Sequence, residues 1–186
     1  MSDIVTEKDY SIRNRWIMKL SISNLFISFF TASGVALLFK VASQGIEMPL
    51  FFYIIIFIPV FLVVFISRIV VIVLQKEFFH YEIGDKFLTI KQGIISKQQR
   101  QLPYSVIQNL FIRQSLLDRI FNLSLLNIEN AQKGALTAVN RPTLDVIGSI
   151  GNTIYIPGLD PNDAETLKNL VLQKMKENPA ESTSGL

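Results

Sequence analysis

The sequence predicts an α+β membrane protein: a two-helix transmembrane hairpin followed by an antiparallel, strand-rich domain that ends in a helix. Three observations predict it. Two apolar runs of membrane-crossing length lie near the amino terminus, the pattern after them changes to the alternation of half-buried strands, and the last patterned segment is an amphipathic helix with a complete start signal.

The apolar fraction of 49% is unevenly spread, because it crowds into residues 20–74 while the rest reads like a soluble protein. With no cysteine, the chain has no disulfide, no thiolate metal site and no cysteine nucleophile. A net charge of +3 and a pI near 9.2 fit orientation in a membrane and contact with lipid better than nucleic-acid binding.

Residues 20–39 contain no ionisable side chain, and twenty residues of helix span roughly 30 Å, the depth of a bilayer's hydrocarbon core. The second run, residues 50–74, carries six aromatic side chains and is broken only by Pro59, Ser67 and Arg68. Pro59 removes a backbone donor and predicts a kink. Arg68 lies about two turns from the helix end, within snorkelling reach of the headgroups. Residues 40–49 form the turn. The first run is longer than a signal-peptide core, starts well inside the chain and lacks a good small-residue cleavage site, so it is expected to be retained.

Arg13, Arg15 and Lys19 precede the first helix and Lys76 follows the second, whereas Lys40 in the turn is balanced by Glu47. The asymmetry predicts a multi-pass protein of the plasma (cytoplasmic) membrane with both termini cytoplasmic. Along the first helix Asn24, Ser28, Ala32 and Ala36 recur every four residues as a stripe of small or polar side chains suited to helix packing. Its partner is either the second helix of the same chain or another subunit.

Beyond Lys76, Phe79, Tyr81 and Ile83 alternate, Gly84-Asp85-Lys86 makes a turn, and Leu88 and Ile90 continue on a second strand. A polar stretch follows over residues 96–101. Leu110 and Ile112 then share a strand face. Leu116, Leu117, Ile120 and Phe121 fall at helical spacing and predict a short helical turn, and Leu126 and Ile128 restore a strand. Residues 134–152 are less regular, with a weak strand near Leu136 or a loop near Pro142, and residues 154–156 make a last strand.

Asp160-Pro161 supplies a capping side chain and a first-turn proline, and Asp163 and Glu165 place negative charge near the positive end of the helix dipole. Leu167, Leu170, Val171 and Met175 form the face that docks. The Pro/Glu/Ser/Thr-rich residues 178–186 are predicted to be disordered. The expected division is therefore an N-terminal segment at 1–19, the hairpin at 20–76, the strand-rich domain at 77–177 and the tail.

Short antiparallel strands closed by one helix describe a PH-like antiparallel β-barrel or sandwich. Particular segments also carry a resemblance: Tyr81-Glu82-Ile83; Leu88-Thr89-Ile90-Lys91-Gln92-Gly93-Ile94-Ile95; Leu102-Pro103-Tyr104-Ser105-Val106-Ile107-Gln108-Asn109; and Gln114-Ser115-Leu116-Leu117-Asp118-Arg119-Ile120-Phe121. In this order they resemble the bacterial PH-domain membrane proteins of the YdbS type. These have a glycine after the second strand, a proline with Ile-Gln shortly after, and a Gln-x-x-x-x-Arg segment. The resemblance is best over residues 78–128. It implies a membrane-tethered PH-like fold that often works alongside a related protein. Where the family commonly has an Ala-Gly step after the later strand, this chain has Glu129-Asn130-Ala131-Gln132-Lys133-Gly134, so no ligand is carried over to that loop.

The sequence has no nucleophile elbow and no phosphate-binding loop, and its single histidine, His80, has no partner for a catalytic zinc set. Asp118 and Arg119 read as a structural pair that pins the helical turn, and no enzyme activity or cofactor is expected. Lys86, Lys91, Lys97, Arg100, Arg113 and Arg119 are candidates for a lipid-facing basic surface, each worth about 1 kcal/mol near an anionic leaflet; ordinary solvated cations are the alternative. The expected function is a non-enzymatic, membrane-anchored interaction module that assembles with other membrane proteins. Membrane lipid and a protein partner, such as a related PH-domain membrane protein, are expected; nucleic acid is not. The alternatives are an anionic-lipid sensor and a subunit of a transport or envelope-stress complex.

Overall fold

The computed structural model describes residues 5–43, 49–130, 148–150 and 153–179. The chain divides into two compact units, one built from residues 1–16 and 74–186 and the other from residues 17–73.

The smaller unit is made of the long helices α1 (Arg15–Ala42) and α2 (Leu50–Glu77), whose first and last turns belong to the larger unit. Both are long and apolar enough to cross a membrane. No residue of α2 is buried: many of its Phe, Ile and Val side chains are exposed while Phe57, Phe61 and Phe65 are half-buried, and Pro59 sits inside the helix. Phe29 of α1 meets Phe57 of α2 edge-on with ring centroids 5.6 Å apart, and Phe57, Phe61 and Phe65 stack in succession along α2. Ser21 and Thr31 donate their hydroxyls to the carbonyls four residues earlier, which satisfies them without water.

The larger unit contains two four-stranded antiparallel sheets. The first runs in the order β1 (Val5–Thr6), β2 (His80–Ile83), β3 (Phe87–Gln92) and β4 (Gln98–Pro103). A 3-10 turn at Tyr104–Val106 leads into the second, ordered β5 (Ile107–Arg113), β6 (Ser124–Asn130), β8 (Thr153–Leu159) and β7 (Gly148–Ile150). Between β5 and β6 lies α3 (Leu116–Ile120), and α4 (Pro161–Glu177) follows β8 and packs on β5, β6 and the 3-10 turn. The sheets do not close into a barrel, which corrects the barrel half of the predicted architecture; among the described residues β4 and β5 are not paired.

Register explains the core. Tyr81 pairs with Ile90, and Ile83 with Leu88, which pairs in turn with Leu102, so these five buried side chains share one face. In the second sheet Ile128 pairs with Ile154 and Leu126 with Ile156, again all buried, and α4 adds Ala164, Leu167 and Val171. Three strands were not legible as such, among them β7, which lies in the stretch read as irregular and pairs with β8. β1 holds only two residues and gains its place by pairing with Ile83 and Glu82. β4 coincides with most of the polar stretch because it is an edge strand, where only Leu102 reaches the buried interior and polar side chains discourage further pairing.

The predicted helix start at Asp160 is present: its side chain accepts from the Asn162 N–H at 3.3 Å, with Pro161 in the first turn. The far end of α4 is tied to the β2–β3 turn, where Lys174 pairs with Asp85 at 3.1 Å and the Asn178 side chain donates to the Asp85 carbonyl at 2.8 Å. Of the stretch 134–152 expected to be irregular, residues 148–150 form β7, while the Leu136 strand, the Pro142 loop, residues 44–48 of the expected turn and most of the tail lie outside the described residues.

Candidate functional site

The amino-terminal segment is built into the larger unit by a dense set of bonds. Thr6 extends the first sheet beside Glu82, and the Asp9 carboxylate accepts from the Thr6 N–H at 2.9 Å to turn the chain. Glu7 then reaches back over β2: one oxygen lies 2.8 Å from His80 Nδ1 and the other accepts from the Tyr81 N–H at 3.2 Å. The Tyr81 hydroxyl donates to the Tyr10 carbonyl. Burial, with Glu7 nearby, pushes the Tyr81 phenol well above the usual tyrosine range.

Two clefts flank the Glu7–His80 pair. One, of about 370 Å³, lies on the outer face of the first sheet, where register places His80 beside Lys91 and Glu82 beside Thr89. The other, of about 400 Å³, is lined by Ser11, Arg13, Asn14, Lys76 and Glu77. Both mix charges of either sign. Arg13 is paired with Asp163 at 2.9 Å, and Lys76 donates to Asn14 Oδ1. Among the described residues no cluster of three metal-ligating side chains exists.

Where the chain passes into α1, the start of α4 receives it. Asp160 caps α4 and also pairs with Arg15 at 3.3 Å, while Asp163, in the first turn of α4, takes Arg13. The Arg13 N–H donates to the Gly158 carbonyl at 2.8 Å, and Ile12 and Trp16 are buried. The acid read from the sequence as the cap, Asp160, and one of those read as dipole partners, Asp163, therefore also grip Arg15 and Arg13.

The six basic candidates do not occupy one face. Lys91, paired with Gln99, points to the outer side of the first sheet, whereas Arg100, paired with Ile90, belongs to the opposite side at an exposed edge. Lys86 and Lys97 lie in the two turns of that sheet, and Arg113 and Arg119 lie at the end of β5 and on α3. Of the helix-packing stripe, Asn24, Ser28 and Ala32 are buried and Ala36 is half-buried. Phe29, next to Ser28 in α1, meets Phe57 of α2. Both polar atoms of Asn24 and the Ser28 hydroxyl are buried without a hydrogen-bond partner.

Two features were missed in the sequence. The Glu7–His80 pair joins residues 73 apart and leaves no local signal. In α3, Asp118 forms a capping box with Ser115, accepting from its N–H at 2.9 Å and its hydroxyl at 2.6 Å, so this acid pins the turn through Ser115. The predicted helical turn is present, and in it Leu116 and Ile120 point outward, 79% and 73% exposed.

A family model described as "Bacterial PH domain" matches residues 34–175. No curated protein and no solved structure matches the chain.

Proposed function

The chain belongs to the bacterial PH domain family, a class of non-catalytic interaction modules, and on that premise we propose that it is anchored in the plasma membrane by its own helical hairpin and assembles there with other membrane proteins. In this reading residues 20–76 span the bilayer twice, both termini are cytoplasmic, and the PH-like domain is held at the inner face. The observation that carries it is the uncovered apolar length of α2, which has no buried residue in the same chain as a well-packed polar-surfaced domain. Hydrocarbon is the environment that satisfies such a helix, because its backbone bonds are internal and its side chains need no water. Tethering raises the domain's effective concentration toward membrane-bound neighbours, so a weak site suffices. The YdbS-type resemblance points to a related PH-domain membrane protein as partner.

The spread of the six basic candidates over different faces removes one continuous basic surface as support for general lipid sensing. Protein assembly is therefore the preferred reading. Its test is crosslinking in intact cells followed by detergent extraction. Recovery of a membrane partner, with the chain sedimenting in the membrane fraction, is the expected result. A chain that stays in solution without detergent, or a tag after Leu186 reachable from outside the cell, overturns the reading.

A further inference from the structure

The ends of β5, β6 and β8 form one rim of the second sheet: Arg113 closes β5, and Ser124 at the start of β6 pairs with Leu159 at the end of β8. Two structures stand on this rim. One is the chain's entry into α1, where Ile12 and Trp16 pack on Gly158 and Arg15 pairs with Asp160. The other is α3, moored by its capping box, by the Leu123 N–H donating to the Asp118 carbonyl at 2.8 Å, and by Gln114 donating to Ser124 Oγ at 2.9 Å.

The outward face of α3 combines two apolar side chains with a cation. Leu116, Arg119 and Ile120 stand at positions i, i+3 and i+4, which share one side of a helix, and all three are exposed. Asp118, the only acid of the helix, is buried beneath them, so it does not oppose an anionic surface from outside. A small apolar knob flanked by arginine is the composition of segments that lie in the headgroup layer, with apolar side chains down and guanidinium at the phosphates. From this chemistry, together with the rim's place at the entry to an apolar helix, we propose that α3 is a membrane foot: Leu116 and Ile120 dip into an anionic leaflet and Arg119 meets its phosphates. The inference rests on the membrane-anchored reading above and assigns the face of the domain that lipid covers.

The absence of cysteine makes the test direct. Full-length Leu116→Cys and Lys176→Cys, each labelled with an environment-sensitive fluorophore, are reconstituted into vesicles of phosphatidylcholine with or without phosphatidylglycerol. Both native side chains are exposed, and Lys176 lies fifteen residues along α4 from Pro161, about 22 Å along the helix axis at 1.5 Å per residue. The expected result is blue-shifted emission at position 116, quenched by lipids brominated high on the acyl chain, with water-like emission at 176. Arg119→Gln should reduce the quenching in anionic vesicles at low salt, and the reduction should shrink as salt screens the charge.

Water-like emission at 116 in protein that floats with the vesicles overturns the foot while leaving the anchor intact. Emission at 116 that is apolar only after a second protein is added assigns the face to a protein partner, and overturns it too. Equal quenching in neutral and anionic vesicles overturns the role of Arg119 and with it the proposal. Protein that fails to float at all defeats the anchored reading first.

Discussion

Gly158 lies directly beneath Trp16: a Cβ added at the glycine would sit 2.8 Å from the Trp16 Cβ and 2.9 Å from Ile12 Cγ2. The glycine also has φ of +70°, in the left-handed region that costs another residue roughly 1–2 kcal/mol. Close approach and backbone conformation therefore require the same residue, at the place where the sheet receives the chain before α1. Gly158→Ala should destabilise the larger unit by about 2–4 kcal/mol, since strain and clash add. Thermal unfolding of the detergent-solubilised chain measures it, and an unchanged midpoint would show that the entry segment is not held as described.

Trp16 itself is fully buried, but its indole N–H has no acceptor. Trp16→Phe removes an unsatisfied donor, which offsets much of the lost packing; the net change should stay within about 1 kcal/mol. Trp16→Ala leaves a cavity and should cost about 3–5 kcal/mol. Equal losses in the two variants would show that the indole nitrogen is satisfied in solution.

The phenols of Tyr81 and Tyr104 are both pushed above the usual tyrosine range, in each case chiefly by burial. A folded-state pKa above the unfolded one means that stability is fully present below the unfolded value, near pH 10, and falls as pH rises toward the folded value. The Tyr104 hydroxyl, which donates to the Gly84 carbonyl at 2.9 Å, would have to give up that bond to ionise. Urea midpoints measured from pH 8 to 11.5 should fall above pH 10, and less steeply in Tyr104→Phe. A parallel decline in the two proteins would rule out this tyrosine as the cause.

Ser115→Ala removes one half of the α3 capping box and should cost about 1 kcal/mol. Leu116→Ser, on the exposed side of the same helix, should leave the unfolding midpoint in detergent nearly unchanged. Hydrogen exchange at the amides of α3 should separate the two, with protection lost in Ser115→Ala alone.

Ser28 and Ala32 are fully buried within this chain, so enlarging them must push on neighbours already present. Ser28→Leu with Ala32→Leu should cost about 1–3 kcal/mol per site by overpacking. The loss should appear in the purified chain, as a lower unfolding temperature in detergent, before any partner is added. Normal stability in the pure chain with loss of a co-purifying protein would assign the stripe to intermolecular packing.

Much of the fold was legible because it depends on local pattern. Hydrocarbon-length runs mark α1 and α2, alternation at Tyr81, Ile83, Leu88 and Ile90 marks β2 and β3, and the Asp160-Pro161 pair marks the start of α4. β4 escaped because an edge strand needs only Leu102 to be apolar, and β1 and β7 escaped because two or three residues carry no period.

Sequence alone determined the two apolar helices, the core-facing side of most strands and the cap of α4, since each is set by side chains within a few positions of one another. Tertiary structure alone decided that Glu7 meets His80, that Asp160 and Asp163 grip Arg15 and Arg13, that Lys91 and Arg100 take opposite sides of a sheet, and that Leu116 and Ile120 face outward. The reason is physical: those relations depend on strand register and on contacts across as many as 150 positions, and neither leaves a trace in local composition.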